Sequence, residues 1–456
     1  MIEWPPAFVE RMRQQLGEEY PAFQDAGHSP SPTSIRLHPL KTESSLELGE
    51  SIPWAPLGRY LAERPVFTLE PLYHAGCYYV QEASSMILEA FFQTIDRPEK
   101  PFAILDLCAA PGGKATHLLS LMGSTDTLVA NEIHPQRNAI LFENLTRWGD
   151  PRVMVARCTP DQLAATHPGR FDVILVDAPC SGEGMFRKDE FAVKQWTPEL
   201  VIRCADRQHQ ILDAAIQLLK PGGVLIYSTC TYNREENEDQ IARLVIQYGM
   251  DLLLPDLDPE WGLVRSDLGY RCYPHHIAGE GLFMSMVRKG ATDGGPSVGA
   301  SPSLRPNPHI GVRQAAPVQV REWLREADDM EFYLTRQQLW KAIPADMASS
   351  AFDLIHSPLD IQTGIQLGRF KTSTLFLPDH ALALSTALHP GIPHLELTRE
   401  EVLNFLKKET IARSGESPGI RLITWRGHGI GWGKLVPGRV NNLLPHHWRI
   451  RMNIPE

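Results

Sequence analysis

The most regular hydrophobic patterning lies between about residues 96 and 289, where short apolar runs alternate with longer amphipathic stretches. AILDLCAA is a short apolar run, and ATHLLSLM after it has helical spacing. TLVANEIH then reads as a strand and PQRNAILFENLTRWG as a helix. RVMVARC and FDVILVDAP are further strands. PELVIRCADRQHQILDAAIQLLK predicts a long helix that stops at Pro221-Gly222-Gly223. GVLIYSTC and EENEDQIARLVIQYG close the series as strand and helix. Strands that alternate with helices predict an α/β, doubly wound, largely parallel sheet.

The flanks are patterned differently. Residues 1–95 open on an amphipathic helix, MIEWPPAFVERMRQQLGEEY, and end with helical apolar spacing at Met86, Ile87, Ala90 and Phe91. They form an N-terminal extension expected to contribute to binding. Residues 290–310 are rich in Gly, Ser and Pro without periodicity, which predicts a flexible linker. Residues 311–385 read as a middle support domain, and 386–456, with GHGIGWGKLVPGRVNNLLP, as short strands and turns. A length of 456 residues agrees with about three domains.

Composition narrows the classes. With 43% hydrophobic and 21% charged residues the chain is an ordinary globular one. Seven cysteines without a CxxC pair argue against a disulfide scaffold or zinc ribbon and favour a reducing compartment, so a cytoplasmic location is expected and no metal site. No apolar run is long enough to span a bilayer, and the first residues lack a secretory pattern. The net charge of −10 conceals a basic end: residues 411–456 hold seven Lys/Arg against two acids. A basic end on an acidic body suits a polyanion, although a solvated surface explains the charge equally well.

Candidate chemistry begins at the first strand. Cys108, Ala109, Ala110, Pro111, Gly112, Gly113 and Lys114 lie between a strand and a helix, where open α/β sheets bind ligands. Glu132 ends the next strand, positioned to accept hydrogen bonds from ribose hydroxyls. The G-x-G-x-x-G and Walker spacings are absent, so S-adenosyl-L-methionine fits better than a dinucleotide or nucleoside triphosphate.

Two cysteines fall at strand ends beside that site: Cys180 in Asp-Ala-Pro-Cys and Cys230 in Ser-Thr-Cys. C5 of a pyrimidine is a poor nucleophile. A thiolate adding to C6 makes C5 enamine-like, and loss of the C5 proton then expels the thiolate. Because the thiolate is the reactive form, polar partners are needed, and Asp177 and Lys114 stand nearest by motif position. Those two side chains could instead hold the base edge, or Asp177 the cofactor amine. Cys108, Cys158 and Cys204 read as packing residues, and Cys77 and Cys272 have no evident role.

DLCAAPGGK, NEIHPQR, FDVILVDAPCSGEGMFRK and GGVLIYSTCTYNREENE, preceded by GCYYVQEASSM, together resemble the RNA 5-methylcytosine methyltransferase family of NOL/NOP/Sun type, in order over residues 70–290. The resemblance implies a Rossmann-type S-adenosylmethionine-dependent fold in which Cys230 is the nucleophile and Cys180 helps release the product. Carried over by motif, Cys108 through Lys114, Glu132 and Asp177 bind cofactor. The third cofactor acid departs from the family pattern. Asp161 stands about two residues late in ARCTPDQL, and the alternative is that it or Thr159 caps the following helix. The C-terminal sequence is similar to that of the bacterial RsmF (YebU) group. That likeness implies a PUA-like RNA-binding end and methylation of 16S rRNA in the decoding region of the small subunit.

RNA sequence is read mainly in unpaired segments, and the target base must leave its stack. The C-terminal basic residues with Trp425, Trp432 and Trp448 are a candidate surface for phosphates and stacking, with the core as the alternative place for the tryptophans. Arg187 and Lys188 are candidates for contact near the target, the alternative being a solvated loop. A tRNA or 23S rRNA substrate, and a non-catalytic RNA-binding assembly factor, remain competing expectations.

Overall fold

A computed structural model describes residues 3–97, 100–291 and 309–453. Most of the expected linker, 290–310, lies outside the described residues. The catalytic region is built on a ten-stranded sheet. Its centre is five parallel strands in the spatial order Leu219–Thr229, Phe171–Asp177, Ala103–Asp106, Thr127–Asn131 and Val153–Ala156. The strand Leu282–Arg288 joins antiparallel beside Leu219–Thr229. Ala103–Asp106 is therefore the switch point, with later strands laid down on both sides, and the crevice beyond its carboxyl end is where such sheets hold ligands.

The central strands are apolar on both faces because helices cover both. Leu105, Val129, Ile174, Val176 and Leu225 share one core with Ile211, Leu212 and Ala215 of the long helix Pro198–Leu218. Ile104, Leu128, Val155, Leu175 and Ile226 share the other with Leu118, Leu141, Leu145 and Phe91. The long helix is capped by Thr197, whose hydroxyl accepts from the Leu200 N–H. It ends at Leu218, and Pro221-Gly222-Gly223 falls inside the following strand.

Residues N-terminal to the sheet form two helices, Pro6–Leu16 and Tyr20–His28, and a four-stranded sheet. Phe8 and Phe23 of the helices pack among Phe186, Trp196, Tyr232 and Tyr273, so the N-terminal region is joined to the catalytic loops through an aromatic core. At the other edge the middle region 311–385, expected as a support domain, forms a five-stranded sheet of its own and also lends the strand Ile361–Thr363 to the catalytic sheet beside Val153–Ala156. Ile343, Met347 and Ile355 complete the same core. Lack of sequence periodicity over this region hid the fact that its apolar residues serve a neighbour. The C-terminal strands form a separate five-stranded sheet, with Gly419–Trp425, His428–Val436 and Arg439–Asn442 as its antiparallel centre.

Lys41 ties three of these parts together. Its ammonium donates to the carbonyls of Ala75 at 2.9 Å and Leu384 at 2.7 Å, with Trp148 O at 3.3 Å and Arg147 O at 3.4 Å. The last two carbonyls end the helix Pro135–Trp148, where the helix dipole favours a cation.

Candidate active site

A cleft of about 650 Å³ opens at the carboxyl ends of the parallel strands. The parallel strands contribute from their carboxyl ends, and the long helix Pro198–Leu218 contributes from its side. Cys108, Ala110 and Lys114 come from the loop after the first strand, Glu132 follows the second, and Asp161 follows the third. Asp177 and Cys180 follow the fourth, and Cys230 the fifth.

Ala109, Pro111, Gly112 and Gly113 do not line the cleft. Ala109 is buried in the core, and its N–H donates to Asn131 O at 2.8 Å. Pro111 O accepts from the Asn144 side chain at 2.8 Å. Gly112 has φ +115°, a left-handed conformation that turns the chain into the helix Gly113–Leu121. These residues shape the loop, and three of its members form the wall.

Glu132 is buried, with one carboxylate oxygen accepting the His134 N–H at 2.8 Å and the other 3.3 Å from Arg137. Asp161 is exposed on the first turn of Pro160–Thr166 and lines the cleft. Thr159 caps that helix in a capping box with Gln162, so Asp161 is left free of the capping role.

Asp177 Oδ1 accepts from Lys114 Nζ at 2.8 Å and from Ser228 Oγ at 2.8 Å. Burial opposes the Lys114 charge, but the Asp177 carboxylate outweighs it and raises the ammonium above its ordinary value. Cys180 and Cys230, on neighbouring strands, bring their sulfurs to 3.3 Å. The hydrogen bond from Cys180 lowers the Cys230 thiol against the effect of burial, and Lys114 adds to the lowering. The same hydrogen bond, with burial second, pushes Cys180 well up. The pair thus favours ionisation of Cys230 over Cys180, the direction a sulfur nucleophile at Cys230 requires.

The motif DLCAAPGGK contains Asp106 without giving it a role, and Arg207 and Gln210 carry no sequence signal of their own. Asp106 is fully buried at the end of the first strand, and neither carboxylate oxygen has a hydrogen-bond partner among the described residues. Burial first, and Asp177 second, push it up to about 8. Arg207 and Gln210, exposed on the long helix, form the lip beyond Cys180. They could have been found only by noticing that this helix begins after the Pro-Cys loop and must pass the cleft.

Of the residues expected to meet RNA, Arg187 is committed elsewhere. Its guanidinium donates to Ser29 O at 3.0 Å, Pro30 O at 2.6 Å and Gly279 O at 3.2 Å. Lys188 beside it is exposed. Trp425 and Trp432 are core residues, and the Trp432 indole donates to Asp379 O at 2.7 Å. Trp448 is half-buried, with His380 against its ring and Arg147 over it. The basic residues Arg426, Arg439, Arg449 and Arg451 are exposed.

Comparison with known proteins agrees with this architecture. The family model of 16S rRNA methyltransferase RsmB/F matches residues 93–288. That of the N-terminal domain of 16S rRNA methyltransferase RsmF matches 4–83, and that of the methyltransferase RsmF PUA domain 392–450. Ribosomal RNA small subunit methyltransferase F of Aliivibrio fischeri is 30% identical over 468 residues, covering 97% of this chain and 96% of its own. The chain belongs to this family. A solved methyltransferase homologue from Pyrococcus horikoshii is 27% identical with a TM-score of 0.54, over 63% of this chain and 96% of that one. NSun6 from the same organism, solved with SFG, shares the fold at 22% identity and a TM-score of 0.53, over 63% of this chain and 99% of that one.

The fold is that of a Rossmann-type S-adenosylmethionine-dependent methyltransferase with a PUA domain at its C-terminal end. The cleft fits that cofactor. Its volume suits a nucleoside joined to an amino acid, and its acids, Glu132, Asp161 and Asp177, suit ribose hydroxyls, an adenine amine and a sulfonium charge. Among the described residues no helix is long and apolar enough to cross a membrane.

Proposed function

We propose that this enzyme methylates C5 of a cytosine in 16S rRNA, in the decoding region of the small subunit, through a covalent bond between Cys230 and C6. The observation that carries the reading is the 3.3 Å pair of thiols at the cleft. An N-methyltransferase or an RNA-binding assembly factor has no use for such a pair.

The roles of the side chains follow from their positions. Glu132 holds the ribose, Asp161 the adenine side, and the 108–114 loop the amino-acid part of S-adenosylmethionine, which supplies the methyl group when bound. The Cys230 thiolate attacks C6, and the π pair moves to C5. Lys114 stabilises the anion before attack and, with Asp177, faces the polar edge of the base. Attack extinguishes the Cys230 charge. The hydrogen bond to Cys230 is the main cause holding Cys180 protonated, with burial second, so Cys180 becomes easier to ionise once Cys230 is bonded to C6 and the C5 proton must leave. With the C5 pair spent on the methyl group that bound S-adenosylmethionine would supply, and with Cys180 ionised to solvent, the C5 proton passes to the Cys180 thiolate, the C–H pair re-forms the C5–C6 double bond, and the C6–S bond breaks to return Cys230 as a thiolate. Lys188 and the exposed C-terminal arginines carry phosphate contacts, and the N-terminal region supports the same RNA surface.

Bisulfite sequencing of rRNA tests the reading. Unmethylated small subunits treated with the enzyme and S-adenosylmethionine should gain a protected cytosine in the decoding region, and Cys230→Ala should give none. Protection appearing only in tRNA or 23S rRNA would move the substrate. Protection nowhere would leave an RNA-binding factor.

A further inference from the structure

The loops that carry the two cysteines are fastened to each other by two buried carboxylates, and the fastening is reciprocal. Glu183, in the loop of Cys180, is 2% exposed and reaches into the loop of Cys230. One of its oxygens accepts from Thr231 Oγ1 at 2.6 Å, the Tyr232 N–H at 2.7 Å and the Asn233 N–H at 2.9 Å. The other accepts from the Trp196 indole at 3.0 Å and the Asn233 amide at 3.1 Å. Glu236, in the loop of Cys230, is 0% exposed and reaches back. It accepts from the Ser181 N–H at 2.9 Å, Gln208 Nε2 at 2.8 Å and the Asn233 amide at 2.7 Å. Asn233 thus bridges both carboxylates. The Gly184 N–H donates to Cys230 O at 2.9 Å, and a Cβ on Gly184 would stand 3.0 Å from that same oxygen.

Every one of these partners is a neutral donor. Burying a carboxylate is costly, and the cost is offset only when its lone pairs are filled. Eight such bonds fill them here. A carboxamide could not replace either group, because its NH2 would face donors. The loops follow adjacent parallel strands, whose spacing alone leaves the direction of each cysteine open. The two carboxylates are what fix the loop backbones on both sides of the sulfurs.

We propose that Glu183 and Glu236 are positioning residues that clasp the two cysteine loops reciprocally and so keep Cys180 as the proton donor of Cys230. The proposal rests on the reading above that Cys230 attacks and Cys180 serves release. The clasp explains how two loops of different sequence keep the two sulfurs side by side through a cycle in which one of them becomes covalently engaged.

The test uses full-length Glu183→Gln, Glu236→Gln and the double variant beside the wild type. Melting temperature and S-adenosylmethionine binding report folding, thiolate absorbance against pH reports Cys230, and RNA methylation gives kcat and KM. The expected result is a kcat lowered about tenfold or more with KM changed less than about twofold. The thiolate midpoint should move to higher pH in Glu183→Gln, and less in Glu236→Gln, where the lost negative charge acts in the opposite sense, and the double variant should fall little below the worse single one in kcat. Where a Gln variant fails to fold, Thr231→Val removes one donor to Glu183 at nearly constant volume and should show the same midpoint shift with a smaller kcat loss. Folded variants with wild-type kcat and midpoint overturn the clasp, as does a kcat loss with the midpoint unmoved. If the wild type methylates RNA and Cys230→Ala does not, such a result sinks the clasp alone. If the wild type forms no methylcytosine, the function reading falls with it.

Discussion

The cleft and the C-terminal sheet differ in how they use their notable residues. In the cleft, Cys180, Cys230, Lys114 and Asp177 stand at strand ends, half-covered and paired with one another. In the C-terminal sheet, Trp425 and Trp432 are buried in the core, and the charged residues are left outside. A strand end in a parallel sheet is open to a ligand whatever precedes it, so a reactive residue there is available for chemistry. A tryptophan within a strand of a small sheet is needed by the core first.

The largest expected effect breaks the cleft. Cys230→Ala should lower methylation by roughly 10³-fold or more, with the melting temperature little changed, since the thiol is half-exposed. Cys180→Ala should instead accumulate a denaturation-resistant protein–RNA adduct, visible as a shifted band on a denaturing gel. The pH dependence sharpens this. Because Cys180 and Lys114 lower Cys230, the rate of adduct formation should rise with pH to a midpoint below the ordinary thiol value near 9. Cys180→Ala removes the hydrogen bond that lowers Cys230 most, so its midpoint should move upward. An adduct with Cys230→Ala, or a midpoint moving downward, would reverse the two roles.

The C-terminal counterpart is a stability effect. Trp432→Ala should destabilise by about 3–5 kcal/mol, measured by denaturant unfolding, through the cavity it leaves in the core. RNA affinity of the fraction that remains folded should be unchanged. A loss of affinity without loss of stability would return Trp432 to the binding surface.

Much of the catalytic sheet is legible because its strands are apolar on both faces and separated by turns, a pattern local in sequence. Cys180, Cys230, Glu132 and Asp177 are legible for the same reason, since each closes such a run. Ile361–Thr363 is not, because three residues completing a distant sheet edge carry no period. Nor is the fate of Arg187, whose acceptors lie 157, 158 and 92 residues away along the chain. Glu183 and Glu236 read as ordinary polar loop residues until the two loops are brought together. Asp161 is legible as an acid near the third strand, but its freedom depends on Thr159 taking the cap.

A smaller effect tests the junction of the N-terminal region, the helix Pro135–Trp148 and the middle region. Lys41→Met should cost about 1–3 kcal/mol in unfolding free energy, because the Ala75 and Leu384 carbonyls lose their donor. Limited proteolysis should then release the C-terminal sheet before the catalytic sheet opens. Unchanged stability would show that the Thr386 and Ser385 bonds to Gly149 O suffice to hold the parts.

The smallest effect separates the surface of the C-terminal sheet from its core. Arg439 and Arg449 are exposed, and neither belongs to an ion pair among the described residues. Replacing either by Ala removes one phosphate neutralisation. The log–log salt dependence of RNA binding should flatten by about one, with affinity reduced equally for cognate and unrelated RNA. The melting temperature should not move, since nothing buried is disturbed. This outcome would mark the sheet as an electrostatic platform whose tryptophans only support it. Affinity lost for the cognate RNA alone would show base readout at that surface, and the difference between cleft and sheet would then be one of degree.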